Sequence, residues 1–484
     1  MITQIPNFNL ILPDLSVLVM ACITLLASLY LRGKANEWVY RLAQFSLVNA
    51  FMMTATLLFQ NDFSAGGGAI FYNMIVVDKL ACALKLVIIA ITFAVFMYGR
   101  DYVRERGISP GEYYSLSLFS MLGMMVLVSS THLLTLFLAL ELLSLPIYAL
   151  VAVLRDSRAC TEAAIKYFVM GALATGILLY GFSILYGVTG SLDFSEVAKS
   201  LANLLPEKTV LAIFALVFVI VGTAFKLGMA PFHMWVPDVY EGAPTSVTLF
   251  IATVPKIAIF GMLIRLLGGA MPSLSAHSQE FLILLSILSI VTGNLIAVVQ
   301  TNIRRLLAYS SIAHMGYMVL GIIAMTRIGY AAAMFYILTY VLTSLALFGF
   351  VLMMGTQEQE FVWVDGLRGL NQRNPWLAFM VLTTLFAMAG IPPVVGFMAK
   401  LGVLSALVEV HLVGLAVFAM LFAVVGVYYY LRIIKIMYFE PPEDISPVVY
   451  STPQGALLTL NGLAILALGF FPNALFQVCQ SIFA

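Results

Sequence analysis

The sequence has very little charge. Only 10% of its 484 residues are Asp, Glu, Lys or Arg, whereas these residues make up about a quarter of an ordinary soluble domain. Hydrophobic residues account for 62%, and the mean hydropathy is +1.03. A water-soluble fold of this length could not bury so much apolar surface, so a soluble globular protein is excluded.

Common catalytic and cofactor motifs are also missing. The chain has no GxGxxG, no P-loop, no HExxH and no cluster of carboxylates. Its four cysteines form no CxxC pair, which argues against a disulfide framework, an iron–sulfur cluster or a zinc site. The net charge is only +1 and there is no basic run, so nothing indicates nucleic acid as a partner.

Long apolar stretches fill most of the chain. About fourteen of them reach roughly 20 residues, the length that crosses about 30 Å of hydrocarbon as a helix. The segment before the first stretch has no positive region and no small-residue cleavage site, so we expect that stretch to be retained as a span. The sequence therefore predicts an all-α polytopic membrane protein with both termini on one side.

Basic residues predict which side that is. Most Lys and Arg outside the spans lie in the odd-numbered loops, among them Arg32, Lys34, Arg104, Arg304 and Arg368. Cytoplasmic loops carry the excess of Lys and Arg in membrane proteins. We therefore expect the odd loops in the cytoplasm, both termini on the external side, and the chain in the inner (plasma) membrane.

A few charged residues lie inside the predicted spans. They are Lys85, Lys166, Lys226, Lys256, Lys400 and Glu141, and we expect Glu141 to be the only acid well inside a span. A charge at mid-bilayer costs roughly 3 kcal/mol even on a lenient scale. Glu141 and the last three lysines lie deep, so they must face protein or water. For Lys85 and Lys166, snorkelling or a structural ion pair is an open alternative to a function.

Buried groups of opposite charge can control each other's protonation. A nearby opposite charge stabilises the charged form of each group, whereas burial destabilises it. A pair of Glu141 and Lys226 would hold both groups ionised, and separating them would make Lys226 a proton donor. The deep charges therefore point to proton transfer.

Two predicted spans contain prolines at depth. In span 7 (208–233), Pro231 removes one amide donor and frees the carbonyl of Leu227, next to Lys226. In span 12 (376–408), two prolines at 392 and 393 free the carbonyls of residues 388 and 389, upstream of Lys400. Irregular backbone at that depth is tolerated only where it is buried in protein or lines a hydrated cavity. Two broken spans, five spans apart, are the pattern of an inverted-repeat transporter.

Polar residues also recur at helical spacing. One face of span 10 and one face of span 5 each carry three of them, namely Ser310, His314 and Tyr317, and Glu141, Ser144 and Tyr148. His314 and His233 are candidate proton relays, with a hydrogen-bonded core histidine as the alternative for each.

Several long motifs then allow a comparison with a known family. They are Glu141-Leu-Leu-Ser-Leu-Pro, Pro231-Phe-His-Met-Trp-Val-Pro-Asp-Val-Tyr-Glu-Gly, Lys256-Ile-Ala-Ile-Phe, Gln300-Thr-Asn-Ile-Arg-Arg-Leu-Leu-Ala-Tyr-Ser-Ser-Ile-Ala-His314-Met-Gly-Tyr and Gly390-Ile-Pro-Pro-Val-Val-Gly-Phe-Met-Ala-Lys400. Together they resemble the antiporter-like subunits of respiratory complex I. The resemblance covers nearly the whole chain and weakens before about residue 111 and after about residue 440.

This resemblance implies a proton-translocating membrane-arm subunit, driven by quinone reduction elsewhere and packed against other antiporter-like subunits. It implies that the chain binds no cofactor, while the whole complex uses NADH, flavin, iron–sulfur clusters and quinone. The implied roles are a coupled pair (Glu141 and Lys226), a central relay (Lys256), a connection to the outlet or next subunit (Lys400), an additional relay (Lys166) and polar-axis positions (His233 and His314). Pro255, just before Lys256, departs from the family pattern.

The resemblance also predicts the domain organisation. An N-terminal three-helix segment (1–112) precedes two inverted five-helix repeats, spans 4–8 (113–273) and 9–13 (274–440), each with one broken helix, and a C-terminal helix follows (441–484). Two other functions remain open. The chain could belong to a multi-subunit sodium/proton antiporter, which shares these motifs, or be a scaffold that moves no protons.

Overall fold

A computed structural model describes residues 8–31, 35–60, 68–355, 359–442, 446 and 448–483. Nineteen α-helices follow one another: α1 Leu12–Tyr30, α2 Ala35–Gln60, α3 Lys79–Glu105, α4 Pro110–Ser129, α5 Leu133–Val151, α6 Arg158–Thr189, α7 Phe194–Ala202, α8 Pro206–Leu227, α9 Trp235–Gly242, α10 Thr245–Ile264, α11 Ser275–Val299, α12 Ile303–Ile323, α13 Arg327–Met354, α14 Leu370–Arg373, α15 Pro375–Ala389, α16 Val395–Glu409, α17 Val413–Phe439, α18 Thr452–Phe470 and α19 Pro472–Ile482. A hairpin of β1 (Gly68–Ile70) and β2 (Ile75–Val77) precedes α3.

Thirteen helices of the described part are long and apolar enough to cross a membrane. One predicted span is divided in two, because α15 is a shorter apolar helix and α16 follows it after a break. The prediction of an all-α polytopic membrane protein with about fourteen spans is confirmed. Arg32, Lys34 and the start of the chain, on which we based expectations about sidedness and a retained first span, lie outside the described residues.

The chain divides into two compact units. Unit 1 comprises Met1–Phe96, Gly107–Thr223 and Val254–Ser278, and unit 2 comprises Met97–Arg106, Ala224–Thr253 and Gln279–Ala484. The boundaries predicted from sequence, at residues 112, 273 and 440, and the inverted relation of the repeats stay predictions.

Unit 1 is built on close packing of its first helices. Helix α1 packs against α2 and α4, and α4 packs along α5, which in turn contacts α6. A Cβ at Gly123 would lie 2.4 Å from the backbone nitrogen of Leu143, so only glycine allows α4 and α5 to approach this closely. The β-hairpin buries Ile70 and Val77 against Cys82 of α3.

Unit 2 is organised around α13. This helix contacts α12, α15, α16, α18 and α19, and most of its residues are buried. At the end of the unit, the single C-terminal helix predicted within residues 441–484 is two helices in the structure. Pro472 begins α19, because a proline lacks the amide donor needed to continue α18.

The first proline-broken span ends as the sequence predicts. Helix α8 stops at Leu227, and Gly228 follows in the left-handed conformation with φ +73°. The amides of Gly228 and Met229 donate to the carbonyls of Phe225 and Ala224, both at 2.9 Å. These two bonds form a Schellman cap, which ends a helix inside the protein without leaving those carbonyls unpaired.

The second broken span has the same cap. Helix α15 stops at Ala389, Gly390 has φ +79°, and the amides of Gly390 and Ile391 donate to Ala387 (3.1 Å) and Phe386 (3.0 Å). In both spans a proline stands three residues after the cap glycine. The two predicted breaks are confirmed. At each one, the same kind of cap ends a helix in the middle of a predicted span.

Candidate functional site

Lys400 occupies the break in span 12. Its side chain is 9% exposed, and its Nζ donates to the carbonyl oxygen of Ala389 at 2.8 Å. That carbonyl is one of the two that the prolines were predicted to free, because residue 393 has no amide hydrogen to offer it. The ammonium also lies 5.3 Å from the centroid of the Tyr317 ring, within cation–π range. The broken helix therefore supplies a lysine site made of a carbonyl dipole and an aromatic face.

Gly390 makes room for this lysine. A Cβ at position 390 would lie 2.7 Å from Cδ of Lys400 and 3.2 Å from its Nζ. The same residue needs the left-handed conformation for the cap of α15, which L-residues with a Cβ rarely adopt. One glycine thus serves both the end of the helix and the position of the lysine.

A small cavity connects Lys400 to His314. It is lined by His314, Tyr336, Tyr340, Thr343 and Lys400, among others, and its volume is ≈ 10 Å³. A space of that size is at the lower limit of what one water molecule needs. The two predicted residues of unit 2 that come together are therefore His314 and Lys400, and a single water could join them.

His314 belongs to a chain of hydroxyl groups. Its Nδ1 lies 2.7 Å from the Tyr336 hydroxyl and its Nε2 lies 3.1 Å from the Tyr430 hydroxyl, which is 2.5 Å from Ser310 Oγ. An imidazole bonded at both nitrogens can take a proton on one side and release one on the other. Tyr336 and Tyr430 were missed from the sequence, because tyrosines in an apolar span look like core residues until their partners are known.

The break in span 7 has a different polar arrangement. Lys226 stands in the last turn of α8 and is half-buried. The indole nitrogen of Trp235 donates to the carbonyl of Phe225 at 2.9 Å, and the Ala230 amide donates to Ser289 Oγ at 3.0 Å. His233 is half-buried, and its Nδ1 has no hydrogen-bond partner among the described residues. Lys226 and His233 thus flank this break.

In unit 1, Glu141 lies on α5 as predicted. It is half-buried, and Ser144 and Tyr148 are buried on the same helix face. The tyrosine hydroxyl fits against Gly171 of α6, where a Cβ would lie 2.1 Å away. Two residues on α5 near Glu141, Leu138 and Leu145, are 59% and 52% exposed. The carboxylate therefore sits at the edge of an apolar surface of this unit.

Lys166 has an ordinary partner. Its Nζ lies 2.9 Å from Glu162 one helical turn earlier, and the two side chains are 43% and 60% exposed. The sequence left snorkelling or a structural ion pair open as alternatives to a function for Lys166. The structure shows the ion pair. A relay role for Lys166 stays a prediction.

Lys256 is buried on α10, with 3% of its surface exposed. Pro255 does not interrupt the helix, which runs unbroken from Thr245 to Ile264. The departure from the family pattern therefore leaves the local helix intact. The expectation that Lys256 and Lys400 face protein is confirmed by their burial.

A second buried acid was missed. Asp14 of α1 lies 2.8 Å from Nζ of Lys85 on α3, and the two side chains are only 5% and 4% exposed. Asp14 lies in the first turn of α1, near the end of its span, so the expectation that Glu141 is the only acid well inside a span stays a prediction. Of the alternatives left open for Lys85, the structure has the ion pair. The pair joins residues 71 positions apart on different helices, so no local spacing indicated it. The charge of Asp14 within an apolar run was the available signal.

Comparison with known proteins supports the family suggested by the motifs. Residues 130–426 match the family described as NADH:quinone oxidoreductase/Mrp antiporter, transmembrane. The chain is 50% identical to NADH-quinone oxidoreductase subunit N of Coxiella burnetii over 99% of its own length and 100% of that protein. It is 48% identical to the subunit N of Thioalkalivibrio sulfidiphilus, with 98% of each covered.

The chain belongs to the NADH-quinone oxidoreductase subunit N family.

Solved structures agree with this assignment. A chain of respiratory complex I from Thermus thermophilus is 34% identical, with a TM-score of 0.81 over 96% of this chain and 99% of that one. A chain of the Mrp complex from Dietzia sp. has a TM-score of 0.83 at 19% identity, which shows a shared fold alone. As a member of the subunit N family, the protein is a multi-pass membrane subunit of a bacterial respiratory complex, and other membrane-arm subunits are its partners.

Proposed function

We propose that this subunit moves protons through unit 2 by way of Lys400, His314 and the hydroxyl chain, coupled to quinone reduction elsewhere in the complex. The bond of Lys400 to the Ala389 carbonyl carries the proposal. A carbonyl accepts one hydrogen bond but brings no negative charge, so either protonation state of the amine can be accommodated. A buried lysine held in this way suits proton exchange better than one held by a carboxylate.

The order of contacts defines a path for the proton through unit 2. Lys400 can pass a proton to a water in the small cavity, and His314 can accept it at Nδ1, the nitrogen bonded to the Tyr336 hydroxyl. The imidazole can then release its other proton toward Tyr430 and Ser310. The transfer leaves Lys400 as the neutral amine and His314 in its other tautomer, so both groups must be reset before the next proton moves. The same contacts allow the path to be run in either direction.

The remaining charges are proposed to act as the family resemblance implies. Glu141 and Lys226 would form the coupled pair, Lys256 the central relay, and Lys166 and His233 secondary positions. The chain itself would carry no redox centre, and NADH, flavin, iron–sulfur clusters and quinone would be held elsewhere in the complex. The half-exposed Glu141 on an apolar surface supports its coverage by a neighbouring subunit, since lipid would leave a carboxylate unpartnered.

We also propose a sidedness for the chain. Both termini would lie on the external side and the odd loops in the cytoplasm, because those loops carry most of the Lys and Arg residues.

The proposed function is tested with Lys400→Met and Lys226→Ala in the complete complex. Methionine has nearly the length of lysine but no charge, so it keeps the packing and removes the proton carrier. In inverted vesicles, we expect normal subunit content and a proton flux per assembled complex lowered about tenfold or more. Normal proton-to-electron ratios in both variants would contradict the proposal and favour a scaffold.

A further inference from the structure

A polar cluster outside the Lys400 site joins several loops of unit 2. At its centre is Glu360, whose Oε1 accepts a hydrogen bond from the Tyr102 hydroxyl and whose Oε2 accepts one from Thr245 Oγ1 at 2.5 Å. The Thr245 amide donates to the Tyr102 oxygen at 3.2 Å. The carboxylate is thus bridged to α10 by two hydroxyl groups.

A cation lies on the other side of Thr245. Arg304 of α12 is 5% exposed, and its Nη1 lies 3.4 Å from Thr245 Oγ1 and 3.1 Å from the Ala243 carbonyl. Thr245 therefore stands between a buried positive charge and the carboxylate.

Tyr102 faces an open cavity. The cavity measures ≈ 600 Å³, and charged residues line it together with Tyr102: Asp101, Arg104, Glu105, Arg106 and Arg373. An open space of this size with charged residues in its lining holds many water molecules. The loops that form it are odd-numbered, on the side that the basic residues assign to the cytoplasm. Water can therefore reach one face of Tyr102 while its hydroxyl contacts Glu360.

Beyond Glu360, α10 carries a row of buried hydroxyls. Thr245, Thr248 and Thr253 are each 0% exposed. Thr245, Thr248 and Lys256 are spaced i, i+3 and i+11, so they fall on one face of the helix. Thr248 Oγ1 donates to the Tyr240 carbonyl at 3.2 Å, and Thr253 Oγ1 donates to the Leu249 carbonyl at 2.7 Å. Along α10 the row leads away from the carboxylate, from Thr245 to Thr253.

We propose that Glu360 takes up cytoplasmic protons for this subunit from the cavity through Tyr102. A hydronium ion in the cavity gives its proton to the Tyr102 oxygen as the Tyr102 proton moves to Glu360 Oε1. The tyrosine stays neutral, and the carboxylate becomes a carboxylic acid. Release of that proton to the hydroxyls of α10 restores the carboxylate. The inference rests on the proposed function and assigns its inlet.

The test uses Glu360→Gln in the complete complex, with Asp365→Asn as the matched control. Gln keeps the size and can still bond Tyr102 and Thr245, but it cannot carry the proton. Asp365 lies in the same loop with a side chain 63% exposed and contacts only Arg368 one turn later among the ion pairs of the described residues. In inverted vesicles, proton uptake per assembled complex should fall about tenfold in the Gln variant and stay near the parent value in the control.

A merely structural role would give a different signature. If proton entry becomes limiting, Glu360→Gln should also raise the solvent deuterium isotope effect on turnover, and Glu360→Asp should recover much of the uptake. Reduced subunit content with unchanged uptake per complex and an unchanged isotope effect would overturn the proposal. Should Glu360→Gln fail to assemble, Tyr102→Phe serves instead, because it keeps the carboxylate and its bond to Thr245 and should slow uptake in the same way.

Failure of the inlet and failure of the proposed function are separable. If Lys400→Met lowers proton flux while both Glu360→Gln and Tyr102→Phe behave like the parent, the inlet is wrong and the function stands. If Lys400→Met also behaves like the parent, the proposed function is wrong.

Discussion

Lys85 in unit 1 and Lys400 in unit 2 are both buried lysines of membrane helices, and they have very different partners. Lys85 lies 2.8 Å from the carboxylate of Asp14, with both side chains almost fully buried. Lys400 lies 2.8 Å from the carbonyl of Ala389 at a broken helix end. The carboxylate places a full negative charge beside its lysine, whereas the carbonyl offers only a dipole. The first arrangement is suited to holding helices together and the second to proton transfer.

The comparison predicts the largest loss of stability at Asp14. Asp14→Asn leaves the Lys85 ammonium buried without a counter-charge, which costs about 3–5 kcal/mol in buried pairs. We expect little assembled complex, measured as subunit content in purified membranes. The double variant Asp14→Leu/Lys85→Met removes both charges and should restore assembly. A single variant that assembles as well as the parent would show that the pair does not hold α1 on α3.

The helix break can be removed without removing Lys400. Replacing Pro392 and Pro393 with alanine offers two new amide donors, and the one at residue 393 can bond the Ala389 carbonyl in place of the lysine. The double variant should assemble at least as well as the parent, while proton flux per complex falls about tenfold. Poor assembly with normal flux per complex would instead mean that the prolines only bend the helix for packing.

A smaller effect is expected from Gly390→Ala. The new methyl group would lie 2.7 Å from Lys400 Cδ. The left-handed backbone at this position costs an L-residue about 1–2 kcal/mol. The variant should lower the thermal stability of the complex modestly and its proton flux more strongly. Gly176→Ala, at an exposed helix position with nothing within 4 Å, is the control that should change neither.

The smallest effect concerns a third lysine. Lys166 pairs with Glu162 at the surface of unit 1, and exposed pairs one turn apart contribute only about 0.3–0.5 kcal/mol. Glu162→Gln should therefore change the unfolding temperature of the complex very little. If Glu162→Gln destabilised the complex as much as Asp14→Asn, the buried and the exposed ion pair would contribute equally to stability. That result would contradict the comparison.

The sequence predicted the features that depend on local chemistry. Pro231 and the proline pair at 392 and 393 marked both broken spans, since a missing amide donor acts within one helical turn. The sequence identified the Ala389 carbonyl as one that the prolines free. That Lys400 donates a hydrogen bond to it became visible only in the folded structure. The number of membrane helices and the assignment as a membrane protein followed from the number and length of the apolar stretches.

Contacts between distant helices were not predictable in this way. The partners of Asp14, His314 and Glu360 lie on other helices or loops, and hydrophobic periodicity carries no information about which helices meet. Tyr336 and Tyr430 are typical core residues by type. Only the packing of α12, α13 and α17 makes them part of a hydrogen-bonded chain.

The most direct test compares two assembled complexes in the same vesicles. One carries Lys400→Met and the other carries Asp14→Leu/Lys85→Met, so each has lost a buried lysine charge. We expect the proton-to-electron ratio to fall in the first and to match the parent in the second. Equal ratios in the two variants, or a loss only in the second, would contradict the claim that a lysine on a broken helix end moves protons and a lysine on a carboxylate does not.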